Sequence, residues 1–169
     1  MNLEELDDYK NRLVMELCSD PEIVRLVTGH PDAKAPNRDL PYTQVFPYEF
    51  VPETIDHGQT FICLDVDIAS VPNKTYYLPV LYVWVFTHKS RMRVATDDGN
   101  KILVDRLAAL IDQKLNGSRY YGLGELELDS CIHFKPVNDY LGRALTYTSC
   151  DFNRPKGRVN APSNRRIGR

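Results

Sequence analysis

Two aspartates one residue apart, Asp65 and Asp67, are the residues in this 169-residue chain best spaced to do chemistry. On a β-strand, residues i and i+2 share a face, so the two carboxylates would stand together and could hold a divalent cation that activates water, as in a nuclease. Glu127 could supply a third acid. However, Glu125-Leu126-Glu127 lacks the lysine of a Glu-x-Lys pair, and a solvated strand face accounts for Asp65 and Asp67 equally well. The four histidines, His30, His57, His88 and His133, are isolated from one another and from any C-x-x-C pair, which argues against zinc. Gly122-Leu123-Gly124 precedes a strand pattern and not a helix, so it reads as a turn instead of a phosphate cradle. Ser90, Ser118, Ser130 and Ser149 have no flanking elbow glycines and no local base. Cys18, Cys63, Cys131 and Cys150 lie far apart and read as buried, reduced thiols. The chain is therefore expected not to be an enzyme, with no catalytic residue, no metal and no cofactor.

Charge is distributed unevenly. Residues 154–169 hold six cations (Arg154, Lys156, Arg158, Arg165, Arg166 and Arg169) and no acid, whereas the other 153 residues hold 15 cations and 23 acids, a net of −8. Val159 and Ile167 are the only large apolar groups of this basic stretch. Alone, it cannot offset the entropy of becoming ordered, so a flexible arm is expected. Such an arm could neutralise phosphates and bind nucleic acid without regard to sequence, or dock on the acidic surface of an adjacent copy. At 43% hydrophobic residues, the remainder can bury one real core, giving a single domain over residues 1–153 and the arm over 154–169. No run approaches the roughly 20 apolar residues of a membrane span, and the start Met1-Asn2-Leu3-Glu4-Glu5 lacks a signal pattern. A soluble, intracellular product is expected.

The elements that would position these groups follow from periodicity. Leu3, Leu6, Leu13, Val14 and Leu17 fall on one face of a helix over residues 3–18. Ser19-Asp20-Pro21-Glu22 then predicts a capped restart and a short helix to Gly29. Between His30 and His57, five prolines (Pro31, Pro36, Pro41, Pro47, Pro52) forbid a long helix, leaving an extended excursion pinned by Tyr42, Phe46, Tyr48 and Phe50. Ile62, Leu64, Val66 and Ile68 alternate with Cys63, Asp65 and Asp67, the pattern of a strand with one wet face. Residues 77–87 are apolar almost throughout and predict a strand covered on both faces. Residues 91–99 read as an exposed loop carrying Arg91 and Arg93, with an aspartate capping a helix over 100–115 that stops at Asn116-Gly117. Leu126, Leu128, Ser130, Ile132 and Phe134 would share one strand face, and a loop with Pro136 and Gly142 leads to a returning strand over 143–151. Short connections favour antiparallel pairing, so the expected fold class is α+β: a mainly antiparallel sheet of four to five strands packed against helices, with a proline-rich loop and a basic arm.

The helix Gly99-Asn100-Lys101-Ile102-Leu103-Val104-Asp105-Arg106-Leu107-Ala108-Ala109-Leu110-Ile111-Asp112, the segment Tyr121-Gly122-Leu123-Gly124-Glu125-Leu126-Glu127-Leu128 and the strand that opens Gly142-Arg143 together resemble the tail terminator and neck (head-tail joining) proteins of tailed bacteriophages. The resemblance implies a structural virion protein that forms a ring, most often of six copies, around a channel for DNA. Its partners would be other copies of itself, the tail-tube protein and the head-closure or connector proteins, with DNA passing transiently and no membrane involved. Its place would be the neck of the virion, after assembly in the host cytoplasm. The six arm cations are the candidate contacts to neighbouring subunits or DNA, and Tyr42, Phe46, Tyr48, Phe50, Arg91 and Arg93 are candidate loop contacts.

Overall fold

The computed structural model describes residues 5–52, 58–70, 77–96 and 99–149, and the basic segment 154–169 lies outside them. Helix α1 (Glu5–Ser19) buries Tyr9, Leu13, Val14, Leu17 and Cys18, the stripe that the sequence period marks. Helix α2 (Pro21–Thr28) begins as expected. The Asp20 carboxylate accepts from the N–H groups of Glu22 (2.8 Å) and Ile23 (3.0 Å), and Pro21 stands where no N–H is needed. It ends at Gly29, whose φ of 73° is left-handed and whose N–H donates to the Arg25 carbonyl.

Five strands form one sheet in the order β1-β2-β3-β7-β6. These are β1 (Val45–Phe46), β2 (Thr60–Ser70), β3 (Tyr77–His88), β6 (Leu126–Phe134) and β7 (Tyr140–Ser149). The short β1 runs parallel to β2, and every other neighbour in the sheet is antiparallel. The fold is therefore α+β with a mainly antiparallel sheet, as the sequence predicts. On one face, Ile62, Leu64, Leu81, Val83, Val85, Leu145 and Tyr147 meet the helices in the main core. The Tyr147 hydroxyl donates to Asp112 of helix α3 (Leu103–Leu115), and Arg143 Nε donates to Asp105 at 2.7 Å, tying that helix to β7.

The proline-rich segment, which contains β1, is held to the body by further contacts besides that strand pairing. Leu40 is buried, the Asn37 N–H donates to the Cys18 carbonyl (2.9 Å), Tyr42 donates to Asn11 (2.7 Å), and the Gln44 amide bridges the Val27 and Thr60 carbonyls.

Four expectations are corrected. Residues 91–99 are not an open loop: a 3-10 turn (Lys89–Arg91) leads into a separate antiparallel pair, β4 (Arg93–Thr96) and β5 (Gly99–Ile102). That pairing consumes residues 99–102, so α3 starts at Leu103 with no side-chain cap, and its first N–H donates to Met92 across the hairpin base. Gly142 lies inside β7 and not in a loop, opposite Phe86 and Phe134. Finally, β6 does not keep one alternation, because a bulge between Leu128 and Ser130 sends Leu126 and Leu128 to the helix face but Ser130, Ile132 and Phe134 to the other.

Candidate interaction surfaces

The sheet face turned away from the helices is a grid fixed by register. Its rows are Phe61–Phe86–Gly142–Phe134, Cys63–Trp84–Ala144–Ile132, Asp65–Tyr82–Thr146–Ser130 and Asp67–Val80–Thr148–Glu127. Side chains opposite one another in an antiparallel sheet stand about 5 Å apart, so each row is a line of touching groups. The first row is covered. Phe46 and Phe50 stack at 4.2 Å with their planes 14° apart, and with Phe61, Phe86 and Tyr140 they form a second apolar cluster beneath the proline-rich segment. Past Trp84 the cover stops among the described residues. Tyr82 and Trp84 are half-buried with their rings stacked 5.7 Å apart, Leu78 at the far end is 44% exposed and Ile132 60% exposed. The expectation that β3 is covered on both faces therefore holds on the helix side and at the Phe86 end only.

Asp65 and Asp67 do share this face by register, but they do not act as a pair. Asp65 accepts from Lys10 Nζ at 3.2 Å and from the Val66 N–H at 2.8 Å. Asp67 and Glu127 end the same row three strands apart, about 14 Å at the usual strand spacing, beyond the reach of one cation. The nuclease set Asp65, Asp67 and Glu127 is thus dispersed. Among the described residues, no three His, Cys, Asp or Glu side chains gather as a metal cage. His88 bonds to Ser90 (2.7 Å) and His133 is exposed on β6; His57 lies outside the described residues.

The thiols divide. Cys18 and Cys63 are buried, and burial pushes both thiols up to about 12, with the Phe50 carbonyl also bonded by Cys63. Cys131 is exposed, contrary to the expectation of a buried thiol, because it sits on the edge strand just past the bulge.

A second feature is a cleft of about 560 Å³ between α2, the 3-10 turn and β4, lined by Arg25, Arg91, Arg93, Gly29, Pro31 and Leu103 among others. Three arginines converge there. Arg91 is not an outward contact, since its guanidinium donates to the Leu26 and Val27 carbonyls, and burial lowers its pKa from the usual arginine range. Arg93 is exposed on β4. A third concave surface, along α1, brings Met15, Asp8 and Glu16 beside Tyr121 and Tyr120, the last 90% exposed.

Of the loop aromatics singled out in the sequence, Phe46 is buried, Phe50 packs on it, and Tyr42 and Tyr48 are exposed. The six arm cations lie outside the described residues. Trp84, Tyr82, Leu78, Ile132 and Arg25 were not foreseen as surface features. Their signal was present only for β3, whose apolar run is too long for one face, and for β6 it was hidden by the bulge.

The fold and these surfaces define a small α+β domain that, among the described residues, presents an aromatic sheet face, strand edges that pair with no further strand and an arginine-lined cleft. No helix among the described residues is long and apolar enough to cross a membrane. The family model YomW matches residues 20–149, from the α2 cap to the last described residue of β7, and the chain belongs to that family. No curated protein matches the chain.

Proposed function

We propose that the protein is a structural, non-enzymatic ring component of a tailed-phage neck, the tail terminator being the role it fits. The YomW family name is consistent with a phage origin. The observation that carries the ring is a pair of unlike open edges on one sheet. At one side, the outer edge of β6 meets no strand among the described residues, and past Leu126 and Leu128, whose edge groups bond to Asn116, Gly117 and Ser118, it offers residues 130–134. At the other, β1 pairs only with Ile62 and Cys63, leaving residues 64–70 of β2 without a strand partner on that side among the described residues. Open edges are templates for another chain. A contact between the β6 edge of one copy and the β2 edge of the next is heterologous, and such contacts close into rings when the rotation permits. Acidic bodies around a channel would let DNA slide instead of sticking.

Native mass spectrometry and negative-stain imaging of the purified protein test this. A ring of about six copies is expected without DNA, and Ile132→Lys with His133→Lys should dissolve it, because lysine blunts an edge. A wild-type chain that stays monomeric at high concentration overturns the reading. The alternative, nucleic-acid binding through the basic arm, predicts instead a gel shift whose midpoint falls steeply with salt and that vanishes when the arm cations are neutralised.

A further inference from the structure

We propose that the segment after β7, residues 150–169, lies across the outer face of its own sheet, with its cations on Asp67 and Glu127 and its arginines over the Tyr82–Trp84 pair. The inference does not depend on the ring. Three observations meet at one place.

The first is where the chain leaves the fold. Ser149 pairs with Leu126, one step past the row Asp67–Val80–Thr148–Glu127, so the segment departs from the acidic end of the grid, where Asp67 and Glu127 are exposed. The second is charge. The four rows contain Asp65, Asp67 and Glu127 and no lysine or arginine, whereas residues 154–169 carry five arginines, one lysine and no acid. Opposite charges on a partly desolvated apolar surface attract more strongly than in open water. The third is ring chemistry. Tyr82 and Trp84, stacked and half-buried, offer aromatic faces, and a guanidinium over such a face is favoured over an ammonium.

Length permits the contact. Twenty residues span roughly 60 Å when extended, against a face of about 14 Å by 20 Å by strand spacing and rise. Tethering favours the chain's own face over a neighbour's, because a short linker holds the segment at an effective concentration on the order of millimolar.

The chain has one tryptophan, Trp84, and it lies on this face, so its emission reports the contact directly. The experiment uses the full-length protein. Acrylamide quenching and emission maximum are compared for wild type, for one variant carrying Arg154→Ser, Lys156→Ser, Arg158→Ser, Arg165→Ser, Arg166→Ser and Arg169→Ser, and for a second carrying Asp67→Asn and Glu127→Gln. Far-UV circular dichroism confirms the fold of each. Both variants should show stronger quenching and emission at longer wavelength than wild type, as should wild type at high salt, with no dependence on protein concentration. Equal quenching in all three overturns the proposal. So does a change in the arm variant alone, which rules out Asp67 and Glu127 as the groups that hold the arm, or protection that disappears on dilution, which assigns the arm to a neighbouring copy. None of these outcomes bears on whether the ring forms, which native mass reads separately.

Discussion

The guanidinium of Arg91 closes the C-terminal end of α2 by donating to the main-chain oxygen of Val27, 3.3 Å from Nη1, while Nη2 reaches the Leu26 oxygen at the same distance. The last carbonyls of a helix have no donor within the helix, and a cation there also meets the negative end of the dipole. Gly29 makes the approach possible, since a Cβ at that position would run into the guanidinium. A residue read from sequence as an exposed loop contact is therefore a part of the fold.

Replacing Arg91 with methionine keeps the stem but takes the side-chain donor from the half-buried Leu26 carbonyl and leaves the Val27 carbonyl with the Gln44 amide alone. Arg91→Met should lower stability by about 1–3 kcal/mol, the usual penalty for such a loss. Arg91→Lys should recover only part of this, because an ammonium cannot present two parallel N–H groups to neighbouring oxygens. Urea unfolding midpoints at unchanged slope measure both effects.

Acid should weaken the α1–α2 corner. Burial pushes the Asp20 carboxyl up, but the Ile23 N–H, Lys114 and the Glu22 N–H together outweigh it and hold the group below the usual aspartate range. A carboxyl depressed in the folded state binds a proton more readily when unfolded. Its contribution is complete above the ordinary aspartate pKa of about 4 and is lost as the pH falls below that value toward the folded one. Asp20→Asn should flatten the stability–pH curve below about pH 4 while lowering the plateau above it, because Lys114 loses a partner at 3.1 Å. Denaturant titrations between neutral pH and the acid limit would show this.

The thiols should separate by reactivity. In a Cys150→Ser background, Cys131 should react promptly with a disulfide reagent at pH 8, whereas Cys18 and Cys63, buried and raised to about 12, should react only as the protein unfolds. Counting fast and slow equivalents gives one and two. Two fast equivalents would place one of the buried thiols outside its core cluster.

The features legible in the sequence were those that depend on near neighbours. Asp20-Pro21 and Gly29 bracket α2 because capping is local chemistry, and the alternation through Ile62, Leu64 and Val66 is read directly because β2 holds one register from end to end. The hairpin β4–β5 was hidden because its four-residue strands carry too few apolar groups to outweigh the helical spacing that runs back from Leu103. The bulge after Leu128 left no mark in the alternation of β6, since the strand edge tolerates either phase. The acids at 65, 67 and 127 looked like a possible set because sequence gives spacing along a strand but not which strands lie between. The arginine cleft was invisible for the same reason, its members coming from α2, the turn and β4.

Gly142 was misread most plainly, and it offers the sharpest test of the sheet. It stands between Phe86 and Phe134, whose rings meet edge to face at 5.8 Å above it, and a Cβ there would strike the Val85 carbonyl oxygen and come within 2.7 Å of Phe86 Cβ. Its backbone is extended, so the demand for glycine comes from crowding and not from a left-handed φ. Gly117 is the converse, with φ at 76° and open space around it. Gly142→Ala should therefore cost about 1–3 kcal/mol, as overpacking does, and Gly117→Ala about 1 kcal/mol, from backbone strain alone. Because Phe134 also touches Trp84 at 6.4 Å between ring centroids, the Gly142 variant should shift the tryptophan emission while the Gly117 variant leaves it unchanged. If alanine at 142 is tolerated without loss of stability or change of emission, Phe86 and Phe134 do not close over β7 as described.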